Sequence, residues 1–335
     1  MTKKFLLAFF LLIISASYAF SFSGGSGTSS APYQVANVAD MREISGYTGN
    51  YYFVLSNDIQ LGAEFLWEPI TNFSGHFDGN GKTIHVRMIP LTYGEDDAYP
   101  NGRAIFGSIN TSGTIYAVRD LHVEGKIQGF NAGGIAAVLN SGVIENCTVS
   151  GDLEGIGEDS ESLYSDELDT KELGANAGGI VAVMKGGTIQ NCVFTGNVNT
   201  EGEGPNWTFA SSGGIAGVMW GGNIYSSTVT QVSEITAEDS DEEEGRASAG
   251  GIAGYVNTPL SSVIQNCNAD CTVTSSHYAG GIAGILQGAQ AQSNNVKSSS
   301  LISSTLTAGG IAGYLALGGT AANNIFETGA VVAAE

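Results

Sequence analysis

The stretch Gly213-Gly214-Ile215-Ala216-Gly217-Val218-Met219 decides the fold, because it recurs. A Gly-Gly-Ile phrase begins at Gly133, Gly178, Gly213, Gly250, Gly280 and Gly309, at spacings of 45, 35, 37, 30 and 29 residues. The shortest spacings define a unit near 29–30 residues, and the longer ones carry insertions. A weaker copy stands at Ile105-Phe106-Gly107-Ser108-Ile109. Fourteen residues after the first glycine stand Cys147, Cys192, Ser227, Asn294 and Asn323, and Cys267 joins them once Thr258-Pro259-Leu260 is counted as an insertion. Two residues further on come Val149, Phe194, Val229, Ala269, Val296 and Ile325.

Each unit therefore offers short apolar runs, five to seven residues long and bounded by glycine or polar turns. Spacings of three and four are scarce, so the runs read as strands. Units this short have no room for a crossover helix. They suit a right-handed parallel β-helix, an all-β solenoid of about eight coils in which each coil pairs with the next at about 4.8 Å. Ankyrin and tetratricopeptide arrays have similar periods, but their helix-forming patterns are absent. Asn146, Asn191 and Asn266 precede the cysteines and predict a corner ladder, since asparagine tolerates the left-handed conformation.

Domain organisation follows from this register. Lys3 and Lys4, the apolar run Phe5 to Ile14 and Ser17-Tyr18-Ala19 read as a secretory signal over residues 1–19. The apolar run is too short for a membrane anchor, and no later stretch is long and apolar enough to span a bilayer. Residues 20–31 read as a flexible linker, 32–103 as an N-terminal cap with the first coils, and 104–335 as the repeat solenoid. Asn37 and Asp40 mark a helix start, and Val38, Met41 and Ile44 share one face, so a short capping helix is expected. Strands are expected over Tyr51 to Leu55 and Thr83 to Met88.

The chain holds 33 acidic against 12 basic residues, a formal charge of −21, which argues against a nucleic-acid partner. At 42% hydrophobic it can still bury a large core. Its 48 glycines do not fall every third residue, which excludes collagen.

The tetrapeptide Gly214-Ile215-Ala216-Gly217, repeated at Gly251 to Gly254, Gly281 to Gly284 and Gly310 to Gly313, resembles the GLUG repeat of bacterial surface proteins. The first two copies depart, ending in Ala137 and Ala182. The resemblance spans about residues 32 to 330. It includes Phe73-Ser74-Gly75-His76-Phe77-Asp78-Gly79-Asn80-Gly81-Lys82-Thr83-Ile84, which resembles the opening coils of exported β-helix proteins. It implies a fold and a cell-surface habit. In adhesin-like members and some immunoglobulin A-cleaving peptidases the repeat is an accessory element, so no reaction is implied.

Parity supplies the first candidate site. Counting from each isoleucine, positions zero and four, such as Ile215 and Met219, share a face. The opposite face carries Ala136/Val138, Val181/Val183, Ala216/Val218, Ala253/Tyr255, Ala283/Ile285 and Ala312/Tyr314. A coil has one inside, so this second set predicts an outer apolar stripe about 24 Å long. Such a stripe reads as an interface unless a neighbouring segment folds over it.

Acidic runs in the insertions offer Glu158, Asp159, Asp239 and Asp241 as candidate calcium ligands. Their spacing matches neither an EF-hand nor the Gly-Gly-x-Gly-x-Asp calcium repeat, and solvated loops are the simpler expectation. No other cofactor is expected. Cys147 and Cys192 are expected as buried thiols, and whether Cys267 and Cys271 form a disulfide is left open.

A secreted or cell-surface module follows, binding a host glycan, a surface protein or another copy of itself without catalysis. The alternative is a polysaccharide lyase or glycoside hydrolase on the same fold. It requires Asp78, Asp120 and Arg119 to converge in one groove. His76, His85, His122 and His277 lack ligand spacing and read as surface or turn residues.

Overall fold

The computed structural model describes residues 22–61, 67–88, 102–113, 115–157, 174–202, 209–239, 247–258, 262–297, 299–327 and 329–333. The expected signal, residues 1–19, lies outside them. The chain is a parallel β-helix whose described strands form four sheets, the first coils contributing to two of them and the later coils to all four. Sheet I has ten strands, from Tyr33–Val35 to Thr320–Ala322. Sheet II has eleven, from Ile59–Leu61 to Ala330–Ala333. Sheet III has six, from Asn131–Gly133 to Thr307–Gly309, and sheet IV seven, from Phe106–Asn110 to Ala312–Ala316. Sheets I and IV thus bracket the expected eight coils. One coil runs Asn131–Gly133, Ala136–Ser141, Val143–Glu145 and Thr148–Gly157, through sheets III, IV, I and II.

Stacking aligns like with like. The inner face of sheet I is one ladder of Phe53, Phe77, Val118, Ile144, Ile189, Ile224, Ile264 and Ala291, none more than 1% exposed. The corner between sheets I and II is left-handed at Asp120, Asn146, Asn191, Ser226, Asn266, Ser293 and Asn323, with φ from +49° to +56°. The three asparagines read from the sequence are part of this longer ladder. Inward of the corner stack Cys147, Cys192, Ser227, Cys267 and Asn294, all buried. The polar members are satisfied: Ser227 Oγ accepts from Cys192 N at 3.2 Å, and Asn294 Oδ1 accepts from Cys267 N at 2.9 Å.

The last coil slips by one residue. Ala283 pairs with Ala312, but Gln290 pairs with Thr320, because the turn at Leu317 to Gly319 is one residue longer. Asn324 and Phe326 therefore occupy the inward positions that the spacing assigns to Asn323 and Ile325. Ile325 is 58% exposed.

The N-terminal end is closed. Helix α1 (Val38–Glu43) is capped by Asn37, whose Oδ1 accepts from Ala39 N and Asp40 N at 2.9 and 3.1 Å. Met41 and Ile44 are fully buried, as the spacing requires. Residues 22–31, expected as a flexible linker, are part of this cap from Phe22 onward. Phe22 is buried and stacks on Tyr33 at 4.4 Å, and Ser23 Oγ donates to Asp40 at 2.8 Å. An aromatic at position 22 offered core area that the small-residue composition around it concealed.

Candidate functional site

The predicted apolar stripe is not an outer surface. Ala136, Val138, Val181, Val183, Ala216, Val218, Ala253, Ala283 and Ile285 are buried; Tyr255 and Ala312 are half-buried, and only Tyr314, at 49%, is exposed. Two physical reasons account for this. Ile215 and Ala216 both enter the main core, because strand geometry begins only at Ala216, after the glycine turn. Sheet III then passes directly over sheet IV. A Cβ at Gly217 would sit 2.7 Å from the Ala182 carbonyl oxygen and 2.8 Å from that of Ala177. This covering strand is the segment just before each Gly-Gly-Ile phrase, too short and too rich in Ala, Ser and Gly to announce itself.

Of the calcium candidates, Glu158, Asp159 and Asp241 lie outside the described residues. Asp239 is buried, and its backbone N donates to Ser276 Oγ at 3.1 Å. Among the described residues no cluster of three or more His, Cys, Asp or Glu is placed to hold a metal. All four cysteines are free and buried, Cys267 and Cys271 included. Burial pushes Cys267 and Cys271 up to about 12, and burial beside Cys192 raises Cys147 well above the ordinary thiol range.

The residues that do converge lie on the outer face of sheet I. Asp78, Arg119 and Asp120, the three named for the enzymatic alternative, meet there. Arg119 donates to Asp78 Oδ2 through Nε at 3.0 Å and a terminal nitrogen at 2.6 Å, and its Nε lies 3.5 Å from Asp120 Oδ2. Asp78 also accepts from Asn80 N at 2.8 Å, an Asx turn that fixes the chain just after this strand. Strand pairing sets Asp78 opposite Arg119, and Arg119 opposite Glu145.

Sequence reasoning missed the aromatic half of this cluster. Tyr52 stacks on His76 at 4.3 Å, His76 meets Tyr116 at 5.5 Å, and the Arg119 guanidinium lies 4.1 Å above the Tyr116 ring. His76 is 1% exposed, not a surface residue. Its Nδ1 donates to the Tyr116 carbonyl at 2.5 Å, and its Nε2 pairs with the Asn50 side chain. His277 is buried as well. The strand Tyr116–Arg119 carries one extra residue against Val143–Glu145, a bulge at Ala117. That insertion breaks the pattern of an outer ring followed by an inner apolar residue that Tyr52-Phe53 and His76-Phe77 share, and hides Tyr116 from a spacing count.

Electrostatics tighten the cluster. Partial burial opposes charge on Arg119, but its hydrogen bond to Asp78 and that carboxylate's charge hold its pKa above the ordinary value. Partial burial raises the Tyr116 hydroxyl; Arg119 pulls it down, and Asp78 adds to the rise. The result is a row of fixed rings and paired charges, partly open to solvent.

No protein-family model matches the chain. Over 147 residues it is 31% identical to Halomucin of Haloquadratum walsbyi, covering 39% of this chain and 2% of that protein. Over 142 residues it is 34% identical to a provisionally named Gly-rich membrane protein of Evansella cellulosilytica, covering 38% of this chain and 15% of that one. The chain thus spans only a small part of these relatives. Among solved structures, a provisionally named immunoglobulin A1 protease of Bacteroides ovatus superposes with a TM-score of 0.58 at 18% identity, over 90% of this chain and 86% of that one. A structure named IgA1 protease gives 0.54 at 18% identity, over 86% of this chain and 21% of that one. At this identity the likeness establishes the fold, and the fold is a parallel β-helix.

Proposed function

We propose that the chain is an exported surface module that binds a partner, a host glycan or surface protein, on the outer face of sheet I without catalysing a reaction. The observation that carries this reading is the state of the polar groups in the row. Both ring nitrogens of His76 and the guanidinium of Arg119 already have partners within the protein. Groups held this way recognise shape and charge; they are poorly placed to take up and pass on a proton. The names of the relatives, Halomucin and a Gly-rich membrane protein, fit a surface location. The GLUG-like tetrapeptide agrees, and so does the signal expected at residues 1–19.

The test is a binding screen of the purified chain against arrayed glycans and host surface proteins. Arg119→Ala and Tyr116→Ala are expected to weaken the selected interaction at least tenfold. Binding that survives both substitutions would refute sheet I as the contact face.

A second reading keeps its claim through one observation: Asp78, Arg119 and Asp120 do share one site. A polysaccharide lyase or hydrolase would use Arg119 against an acidic substrate and Asp120, the more exposed carboxylate, as base. Release of new reducing ends from polyuronates, abolished by Asp120→Asn, would establish that reading.

A further inference from the structure

A second concave surface lies on the outer face of sheet II, on strands Thr83–Met88, His122–Gly129, Thr148–Gly157 and Val193–Gly202. Its floor is the ladder Val86, Gly125, Gly151 and Gly196. One wall is His85, Glu124, Ser150 and Thr195, and the other is Arg87, Lys126, Asp152 and Asn197, each in direct axial register. The first three rungs enclose a depression of ≈ 560 Å³.

The floor is bare by necessity. Gly151 has φ +138°, and a Cβ there would lie 1.8 Å from the Gly125 carbonyl oxygen; Gly196, at φ +140°, would meet the Gly151 carbonyl at 2.0 Å. No side chain can fill the groove in these rungs. The following strand ends it: between Phe194 and Asn197 stand two residues, whereas its partner has four between Val229 and Glu234. The two extra, Gln231 and Val232, protrude, with Val232 71% exposed. The groove is therefore closed, beyond its fourth rung, by a ridge on the following strand.

We infer that this groove binds a short oligosaccharide bearing a carboxylate on one ring, lying along the solenoid axis with the acidic ring over Arg87 and Lys126. The floor consists of paired backbone, so a peptide cannot enter by adding a strand, which needs a free sheet edge. Glycine CH groups instead offer a flat strip suited to a sugar ring, and the walls offer hydroxyl, amide and carboxylate groups at about 4.8 Å steps. Positive charge is concentrated at one end of the groove. Arg87 is exposed, and no ion pair among the described residues reaches it; Lys126 pairs with Glu154 at 3.1 Å, and the carboxylate of these two rungs, Glu124, lies 3.4 Å from His85 Nδ1 on its own wall. The next two rungs are uncharged or acidic: Ser150, Asp152, Thr195 and Asn197. In a chain of net charge −21 this cationic mouth selects an anionic group at one end and hydroxyls further in.

The test is calorimetric titration of the full chain with trigalacturonate, sialyllactose, neutral maltotriose and a poly-glutamate peptide of equal charge. One or both acidic sugars are expected to bind, at least tenfold more tightly than maltotriose and the peptide. Arg87→Glu should weaken that binding at least tenfold, as loss of a charge-assisted contact requires. Ser150→Trp, which fills the groove from a half-exposed wall position, should abolish it. Thr307→Ala, on sheet III, should bind as the unsubstituted chain does, and circular dichroism checks that each variant is folded. Equal binding by folded Arg87→Glu, preference for the peptide, or no binding by either acidic sugar would overturn the proposal. Arg119→Ala, on sheet I, distinguishes the two faces: acidic-sugar binding lost in Arg87→Glu and kept in Arg119→Ala belongs to the groove, and the reverse pattern would place it on sheet I and overturn the groove.

Discussion

Gly213→Ala is the sharpest test of how this fold is held together. A Cβ at Gly213 would lie 1.9 Å from the Ala216 carbonyl oxygen and 2.7 Å from the Gly254 nitrogen. Ordinary C···O approach stops near about 3.3 Å, so roughly 1.4 Å must be absorbed by backbone. The hydrogen bonds nearest the strain, Gly179 N to Gly213 O at 3.1 Å and Gly214 N to Gly250 O at 3.3 Å, have little room to lengthen. Losing both costs about 1 kcal/mol each, and overpacking adds about 1–3 kcal/mol, for a total of about 3–5 kcal/mol. Gly217→Ala is the internal control. Its Cβ would also be close, 2.7 Å from the Ala182 oxygen, but the same ladder position already holds alanine at Ala137 and Ala182. That substitution should cost about 1 kcal/mol. Urea unfolding followed by circular dichroism measures both. Because coils can unfold in stages, hydrogen exchange around residues 209–219 should accompany it. A Gly213→Ala chain within about 1 kcal/mol of the parent, or no less stable than Gly217→Ala, would refute the close-approach argument.

Three further outcomes are expected. Ala216→Asp with Ala253→Asp should unfold the chain instead of dissociating an oligomer, because both sites are fully buried and an unpaired buried charge costs about 3–5 kcal/mol; a folded double variant with altered light scattering would revive the outer stripe. Phe326→Ala should cost about 2–3 kcal/mol and Ile325→Ala under about 0.5 kcal/mol in thermal melts, since Phe326 packs on the core and Ile325 faces solvent; the reverse order would mean that the last coil keeps the earlier register. Alkaline titration should expose the buried thiols. The folded chain holds the protons of Cys267 and Cys271 up to about 12, whereas the unfolded chain releases them near 9.0. Stability is therefore complete below pH 9 and falls as pH rises toward 12, by about 1.4 kcal/mol per pH unit for each thiol. Cys271→Ala should flatten that fall, and an unchanged slope would count against the burial of Cys271.

The period, the parallel stacking, the asparagine corner and the cap at Asn37 were all legible in the chain, because each is a local consequence of residue type. A left-handed corner selects asparagine, a short strand selects an apolar alternation, and stacking repeats both at a fixed interval. Asp78, Arg119 and Asp120 were legible only as candidates. Their meeting depends on which residue of one coil lies over which residue of the next, and the bulge at Ala117 shifts that by one.

Whether the strand from Ala216 had an outside was not legible at all. Alternation assigns two faces to a strand but cannot say what lies against the second one. Sheet III covers it, built from tripeptides such as Ser248–Gly250 whose small residues carry almost no pattern. The glycines at 125, 151 and 196 show the same division. Their recurrence is plain in the chain, yet only the stacked backbone, with a carbonyl about 2 Å from each missing Cβ, makes glycine obligatory and leaves a groove in its place. Local chemistry selected the strands and corners; the contacts between coils, which join residues 20 to 45 positions apart, decided which faces were core and which remained open to a partner.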